Sequence, residues 1–157
     1  MCRSIRLVNK ADYPQWLRLR RMVYSELTDS FHQQEMKRYD HEPSKACFMA
    51  WDKNHEKPIG FAEVSLRNVV DGCLTDCVGY IEGVYVDPQN RGRGIGRSLI
   101  ERAIAWFNKQ GCLEIATDAL ADDHQAQTFH QKMGFRETYQ IVQFKRELEQ
   151  GERSDPG

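Results

Sequence analysis

A turn rich in glycine and arginine is the part of the sequence best suited to chemistry. It runs from Asp87 to Gly96, directly after the apolar stretch Val84-Tyr85-Val86, and it leads into an apolar stripe with helical spacing that begins at Ile95. The first amides of a helix have no partner within it, and the helix dipole adds partial positive charge there. Glycines let an anion approach the backbone, so the turn predicts an anion site, most simply for a phosphate. The alternative is a tight turn in which the glycines only permit a positive φ.

Two well-known phosphate-binding motifs do not match this turn. A P-loop requires Lys followed by Ser or Thr after its last glycine, whereas Gly96 is followed by Arg97. A dinucleotide fingerprint requires G-x-G-x-x-G, whereas Gly92, Gly94 and Gly96 are evenly spaced. The spacing therefore predicts neither a P-loop nor a dinucleotide site.

Two acidic side chains are candidates for handling a positively charged group. Glu82 lies inside an otherwise apolar strand, where an unpaired carboxylate is costly. It can hold an ammonium group and accept its proton, and the alternative is an ion-paired structural carboxylate. Asp118 follows a short strand at its carboxyl end, where ligands gather in open α/β sheets. The alternative for Asp118 is a turn or helix-capping role.

Hydrophobic spacing predicts the elements that must position these residues. Strands are expected at 4–8, 46–51, 58–66, 78–86, 113–117 and 135–144, and helices at about 13–24, 33–39, 95–110 and 124–133. The order β-α-(α)-β-β-β-α-β-α-β is an α/β (α+β) arrangement around one mixed sheet, with antiparallel strands first. Gly79 and Gly83 lie inside the fourth strand, where a glycine often marks a bulge or a close approach.

The composition argues against several classes of protein. The 157 residues carry a formal net charge of −1, which argues against a nucleic-acid partner held by phosphate contacts. No run of about 18 apolar residues is present, so no membrane span is expected. The five scattered cysteines are typical of a reduced, cytoplasmic protein, and the histidines lack the close pairs of a metal site. We expect one domain over residues 1–146 and a flexible tail over 147–157.

Two motifs together resemble those of a known superfamily. Arg91-x-x-Gly94-x-Gly96 resembles the Q/R-x-x-G-x-G/A signature of the GNAT acetyltransferases. Downstream, Asp123-x-x-Ala126-x-x-Phe129-His130-x-x-x-Gly134-Phe135 resembles their second motif. Further segments look like the aminoglycoside 6′-N-acetyltransferases, namely Trp16-x-x-Leu19-Arg20, the stretch from Gly60 to Arg67, Asp71-Gly72-Cys73, the stretch from Tyr80 to Val86, Ala116-Thr117-Asp118 and His130-Gln131-x-x-Gly134-Phe135.

The resemblance implies a fold and a donor substrate. The fold would be the GNAT fold, with one mixed, mostly antiparallel sheet flanked by helices. The donor would be acetyl-CoA, used without a metal, with its pyrophosphate on the backbone amides of the turn and its pantetheine arm along the preceding strand. Asp123 stands where the motif usually has Asn, which contacts the donor. The implied donor-binding residues are Val84, Tyr85, Val86, Arg91, Gly92, Arg93, Gly94, Ile95, Gly96, Arg97 and Asp123.

The resemblance also implies a reaction. The acetyl group would pass to the 6′-amino group of an aminoglycoside by direct attack in a ternary complex, which confers antibiotic resistance. Glu82 and Asp118 would bind the polycationic acceptor and take part in catalysis. His130 stands where many members have a tyrosine acid, so a general acid and a packed helix histidine are both open. Tyr24 and Tyr139 are the other expected substrate contacts.

Two other functions remain open from the sequence. The chain can keep the donor and acetylate another amine, such as a polyamine, a metabolite or a protein N-terminus. It can also be a CoA-binding module without catalytic activity. In the resembling family the final strand often helps to build a dimer, so a homodimer is expected.

Overall fold

A computed structural model describes residues 3–54 and 56–149. Within these residues the centre is a five-stranded sheet in the order β1-β2-β3-β4-β5. Its strands are β1 (Arg3–Leu7), β2 (Lys45–Asp52), β3 (Lys57–Arg67), β4 (Val78–Val86) and β5 (Glu114–Thr117). The α-helices of the same residues are α1 (Tyr13–Val23), α2 (Asp29–His41), α3 (Ile95–Lys109) and α4 (His124–Lys132). The first four strands pair antiparallel and β4 pairs with β5 in parallel, which confirms the predicted mixed sheet.

The sheet is covered on both faces. α1 and α2 pack on one face, over a core of Val8, Trp16, Leu19, Met36, Tyr39, Cys47, Met49 and Phe61. α3 packs on the other face, over a core that includes Phe48, Ala62, Val64, Leu99 and Phe107. Successive side chains of a strand point to opposite faces. Since Phe61 faces α1 and α2, the polar residues Glu63, Ser65 and Arg67 of β3 lie on that face too.

A bulge interrupts β4 where it pairs with β3. The register shifts beside Glu63, which pairs with Gly83, and Glu82 is the extra residue on β4. A bulge bends the strand and re-aims a side chain. A Cβ on Gly83 would lie 2.3 Å from the hydroxyl oxygen of Tyr24, so only glycine permits this approach. The glycines of the fourth strand were expected to mark a bulge or a close approach; at Gly83 both are present, and Glu82 occupies the bulge.

The parallel strands β4 and β5 separate at one end of the sheet. Their last paired residues are Ile81 and Thr117, whereas β4 continues to Val86, and β3 is its one partner there among the described strands. Alternate backbone groups of a strand point to its two sides. The outer side of residues 82–86 is therefore an edge to which no described strand is bonded.

Two sequence predictions of elements need correction. The strand expected at 135–144 is wrong, because residues 135–149 have no regular secondary structure. In the described chain this segment pairs with none of the five strands, and Phe144 is 92% exposed. The short helix expected at 33–39 is the longer α2, Asp29–His41, whose amino end is capped by the Thr28 hydroxyl. Residues 150–157 of the expected tail lie outside the described residues.

Candidate active site

Glu82 projects from the bulge into a cluster of polar side chains. Its Oε1 accepts hydrogen bonds from Ser65 Oγ at 2.5 Å and from Arg67 Nε and Nη2 at 3.2 and 2.9 Å. Its Oε2 accepts a bond from Arg67 Nη2 at 2.9 Å. The Glu82 side chain keeps 23% of its surface exposed. The carboxylate is therefore ion-paired, as the structural alternative required, and it is also within reach of a ligand.

Asp118 is joined to this cluster through a tyrosine. Its carboxylate Oδ2 accepts a short hydrogen bond from the Tyr80 hydroxyl. The guanidinium of Arg67 lies 3.5 Å from the centroid of the Tyr80 ring. Burial, and then the bond to Asp118, raise the pKa of Tyr80, so its hydroxyl remains a donor at neutral pH. Arg67 and Tyr80 thus connect the two carboxylates that the sequence identified separately.

A cavity of about 250 Å³ opens beside Glu82 on the face covered by α1 and α2. Glu35 and Glu82 give it negative charge, and Tyr24, Phe31 and Tyr39 supply aromatic walls. Burial raises the pKa of Tyr24, the residue that caps the carboxyl end of α1, so it is a neutral hydrogen-bonding group there. Carboxylates among aromatic rings suit a ligand that carries both ammonium groups and apolar surface.

The floor of this cavity is a buried ion pair that sequence reasoning missed. Arg20 and Glu63 are 3% and 1% exposed, and Arg20 Nη1 makes a short bond to Glu63 Oε2. The same oxygen accepts from Trp16 Nε1 at 3.0 Å, and Arg20 Nε donates to His32 Nδ1 at 3.1 Å. Because Nδ1 accepts, the remaining proton of His32 is on Nε2, which is buried without a partner among the described residues. The alternation of Glu63, Ser65 and Arg67 on one face of β3 was the available signal.

The glycine turn leads from the end of β4 into α3. Gly92 and Gly94 both have φ of +78°, and Gly94 is the amino-terminal cap of α3. These values fit the tight-turn interpretation, which predicted a positive φ. They also suit the anion interpretation, because nothing lies within 4 Å of a Cβ built on Gly92 and the first amides of α3 lack helical partners. Ile95, Gly96 and Arg97, the first residues of α3, carry those amides.

The three arginines of the turn differ in their surroundings. Arg91 Nε donates to the Val86 carbonyl at 2.9 Å, and its guanidinium lies 5.8 Å from the Tyr85 ring centroid. Arg91 therefore ties the turn back to β4. Arg93 is exposed and lies 3.5 Å from the Asn90 side chain. Arg97 is exposed in the first turn of α3, where its charge adds to the helix dipole.

His130 and Asp123 belong to α4. Asp123 caps the helix, with Oδ1 accepting from the Ala126 amide at 3.0 Å. The His130 ring lies 5.5 Å from Phe129 and 5.8 Å from Phe135, centroid to centroid. Burial lowers the pKa of His130 while Asp118 and Asp123 oppose that shift, and its Nδ1 is buried without a partner in the described chain.

Tyr139 is the expected site residue that stands apart from this arrangement. It lies in the segment after α4 and is 67% exposed. The structure brings together Glu82, Asp118 and Tyr24, and it adds Arg67 and Tyr80, which the sequence did not single out for a role. The described residues contain no group of three or more His, Cys, Asp or Glu side chains arranged for a metal. No helix among them has the length and apolar character needed to cross a membrane.

Comparisons with known proteins agree with this geometry. Residues 13–135 match the acetyltransferase (GNAT) family. The chain is 37% identical over 147 residues to an aminoglycoside N(6′)-acetyltransferase type 1 of Stenotrophomonas maltophilia, covering 93% of this chain and 94% of that protein. The apo crystal structure of an aminoglycoside 6′-N-acetyltransferase from Acinetobacter haemolyticus superposes with a TM-score of 0.85 at 31% identity, over 93% and 99% of the two chains. A related acetyltransferase, AAC(6′)-Iy, was solved with a bisubstrate analogue, CoA-S-monomethyl-acetylneamine, and matches with a TM-score of 0.88 at 30% identity over 94% and 100%. The family resemblance is thereby confirmed, and the chain belongs to the GNAT family of acetyltransferases.

Proposed function

We propose that this protein transfers an acetyl group from acetyl-CoA to the 6′-amino group of an aminoglycoside, and so confers resistance in the cytoplasm, where acetyl-CoA is made. The observation that carries the proposal is the position of Glu82 in the β4 bulge. The bulge directly precedes a strand edge to which none of the described strands is bonded, and then a turn suited to an anion. One short stretch of chain thus combines a proton acceptor with a donor site. The names of the relatives support the choice of acceptor.

The donor site is built mainly from backbone. Acetyl-CoA would supply an activated acetyl group as its thioester. The outer edge of residues 82–86 offers amides and carbonyls to an extended chain, and the amides of Ile95, Gly96 and Arg97 suit a pyrophosphate. The open space at Gly92 supports this fit. Arg97 adds charge, while Arg91 holds the turn in place.

The acceptor site is built from side chains. Glu82 accepts a proton from the acceptor ammonium group, directly or through water. Asp118 and the carboxylates of the cavity attract the remaining positive charges, and Tyr24 supplies an aromatic surface. Burial raises the pKa of Cys47, Cys73 and Cys112, so these thiols are poor nucleophiles at neutral pH. This supports direct transfer between two bound substrates without an acetyl-enzyme.

The sequence left two roles for His130, that of a general acid and that of a packed helix histidine. Its lowered pKa keeps the imidazole neutral at pH 7, and its ring packs between Phe129 and Phe135. These observations support the packed alternative. We therefore expect His130→Gln to keep turnover within about tenfold of the parent, which is less than the loss expected for a general acid.

The test is CoA release from acetyl-CoA with kanamycin, with amikacin, and with spermidine as a comparison amine. We expect turnover with kanamycin that falls about 100-fold or more in Glu82→Gln. Glu101→Gln, an exposed position on α3, is the matched control and keeps full activity. Turnover with spermidine alone would retain an acetyltransferase and reject the aminoglycoside. Binding of acetyl-CoA without turnover of any amine would favour the silent CoA-binding module.

We also propose that two copies associate through the segment after α4. Tyr139, Ile141, Val142 and Phe144 are between 67% and 92% exposed, which is unusual for a run of large apolar side chains. β5 is an edge of the described sheet, and unpaired strand edges accept further strands. Light scattering is expected to give the mass of a dimer for the parent and of a monomer for Val142→Asp. A monomeric parent at micromolar concentration would contradict the proposal.

A further inference from the structure

The ion pair between Arg67 and Glu82 is too exposed to be explained by stability. The Arg67 side chain keeps 41% of its surface and Glu82 keeps 23%. Ion pairs that border water contribute little to folding because solvent screens them. Arg67 is nevertheless held from two sides, by both oxygens of Glu82 and by the Tyr80 ring at 3.5 Å. Such double restraint of a long side chain at a partly open site indicates a role in the site.

The restraint depends on the planar shape of the guanidinium. A flat fork can donate to a carboxylate along its edge while one face rests on an aromatic ring. A lysine ammonium at the same position could not satisfy both arrangements. The Tyr80 hydroxyl donates a hydrogen bond to Asp118, so the ring of this tyrosine supports Arg67 and its hydroxyl supports the Asp118 carboxylate.

This arrangement determines which oxygens face a ligand. Oε1 of Glu82 accepts from Ser65 and from two nitrogens of Arg67, so its lone pairs are occupied. Oε2 accepts from Arg67 alone, and Oδ2 of Asp118 accepts from Tyr80. Among the bonds within the described residues, Oε2 of Glu82 retains one lone pair and Oδ1 of Asp118 is not engaged. A bound ammonium group therefore meets one defined oxygen of each carboxylate.

We propose that Arg67 and Tyr80 are positioning residues, which orient Glu82 and Asp118 so that Oε2 and Oδ1 receive the acceptor amine. The inference rests on the proposed acetyl transfer, because it assigns the support of the same acceptor site. Arg67 acts on the step that moves a proton, since it sets the direction of the Glu82 lone pair. Tyr80 acts on binding, since it holds Asp118 against the acceptor. Replacing Arg67 is therefore expected to lower kcat, and removing the Tyr80 hydroxyl is expected to raise KM.

The first experiment uses Arg67→Ala and Arg67→Lys, assayed by CoA release with kanamycin. Misplacing a reacting group by about 1 Å costs on the order of 100-fold, so we expect kcat to fall about 10- to 100-fold in both variants. KM for kanamycin is expected to stay within about threefold, and guanidinium at non-denaturing concentration is expected to restore part of the kcat of Arg67→Ala and none of that of Arg67→Lys. Arg6→Ala is the matched control, because Arg6 also pairs with a carboxylate, Asp12, and lies over an aromatic ring, Trp51, away from the site.

The second experiment uses Tyr80→Phe, which keeps the ring under Arg67 and removes only the hydroxyl. The loss of one hydrogen bond predicts a rise in KM for kanamycin of up to about tenfold, with kcat within about threefold. Parent-like kinetics of Arg67→Ala, or a change in its KM without a change in kcat, would overturn the proposal. So would the absence of guanidinium rescue in folded Arg67→Ala. These results differ from failure of the proposed function, in which the parent itself releases no CoA with kanamycin.

Discussion

Replacing Arg20 by methionine tests the buried ion pair beneath the cavity. Arg20 and Glu63 are almost fully buried, and they share their bonds with Trp16 and His32. Methionine has a similar length and no charge, so the substitution leaves Glu63 as an unpaired buried carboxylate. Removing one partner of such a pair costs about 3–5 kcal/mol. With an m-value of about 2 kcal/mol/M, the urea midpoint should fall by about 1.5–2.5 M.

A double variant separates the lost pair from lost packing. In Arg20→Met/Glu63→Gln the amide oxygen still accepts from Trp16, and only His32 Nδ1 loses its donor. The double variant leaves no unpaired buried charge, so it should be more stable than Arg20→Met alone. Urea unfolding followed by tryptophan fluorescence measures all three proteins under the same conditions.

The pH dependence of the single variant gives an independent check. Burial raises the pKa of Glu63, and Arg20 opposes that shift in the parent. Without Arg20 the folded-state pKa rises further above the unfolded value of about 4.3. The protonated carboxyl is then favoured in the folded state, so stability is retained at low pH and lost as the pH rises through the folded-state pKa. We expect the destabilisation to be larger at pH 8 than at pH 5. A loss below about 1 kcal/mol, or one that is independent of pH, would refute this account of the pair.

Three further measurements follow from other contacts. A Cβ on Gly79 would lie 2.5 Å from the Phe107 ring, so Gly79→Ala should lower the free energy of unfolding, measured in urea, by about 1–3 kcal/mol. Arg6 lowers the pKa of Asp12, so the stability from this pair is present above pH 4 and is lost on acidification; the urea midpoints of the parent and Asp12→Asn should converge as the pH falls toward 3. Loss of the helix cap in Asp123→Ala should cost about 1 kcal/mol by the same assay, and an unchanged midpoint would show that α4 does not depend on it.

The elements with strong local signals could be predicted from the sequence. β4 was predicted at 78–86, which are its observed bounds, because its apolar run is long and ends at Asp87-Pro88. α2 was predicted too short because most of its residues are polar, and only His32, Met36 and Tyr39 are buried. The segment 135–144 has an apolar pattern that suits a strand. A strand also needs a neighbouring strand to pair with, and the local sequence does not show whether one is available.

The candidate site shows the same limit. Glu82 and Asp118 could be identified because each is an acid at a conspicuous place in the chain. Arg67 and Tyr80 could not, because their importance comes from contacts with residues 15 and 38 positions away in sequence. An arginine at the end of a strand and a tyrosine within one have many ordinary uses. Only the fold shows that Arg67 binds Glu82, that Tyr80 binds Asp118, and that the two side chains contact each other.

Where β4 separates from β5, the proposed site has two halves: the donor half consists mainly of backbone groups, and the acceptor half consists of side chains. On one side the partners are peptide groups, which most exchanges of a side chain outside the turn's glycines leave in place. On the other side the partners are side chains, and each can be replaced by a single codon change. Substitutions can therefore change the acceptor amine while the acetyl donor stays the same. Isolates selected on new amines should therefore carry their substitutions around Tyr24, Arg67 and Tyr80, with the turn before α3 left unchanged.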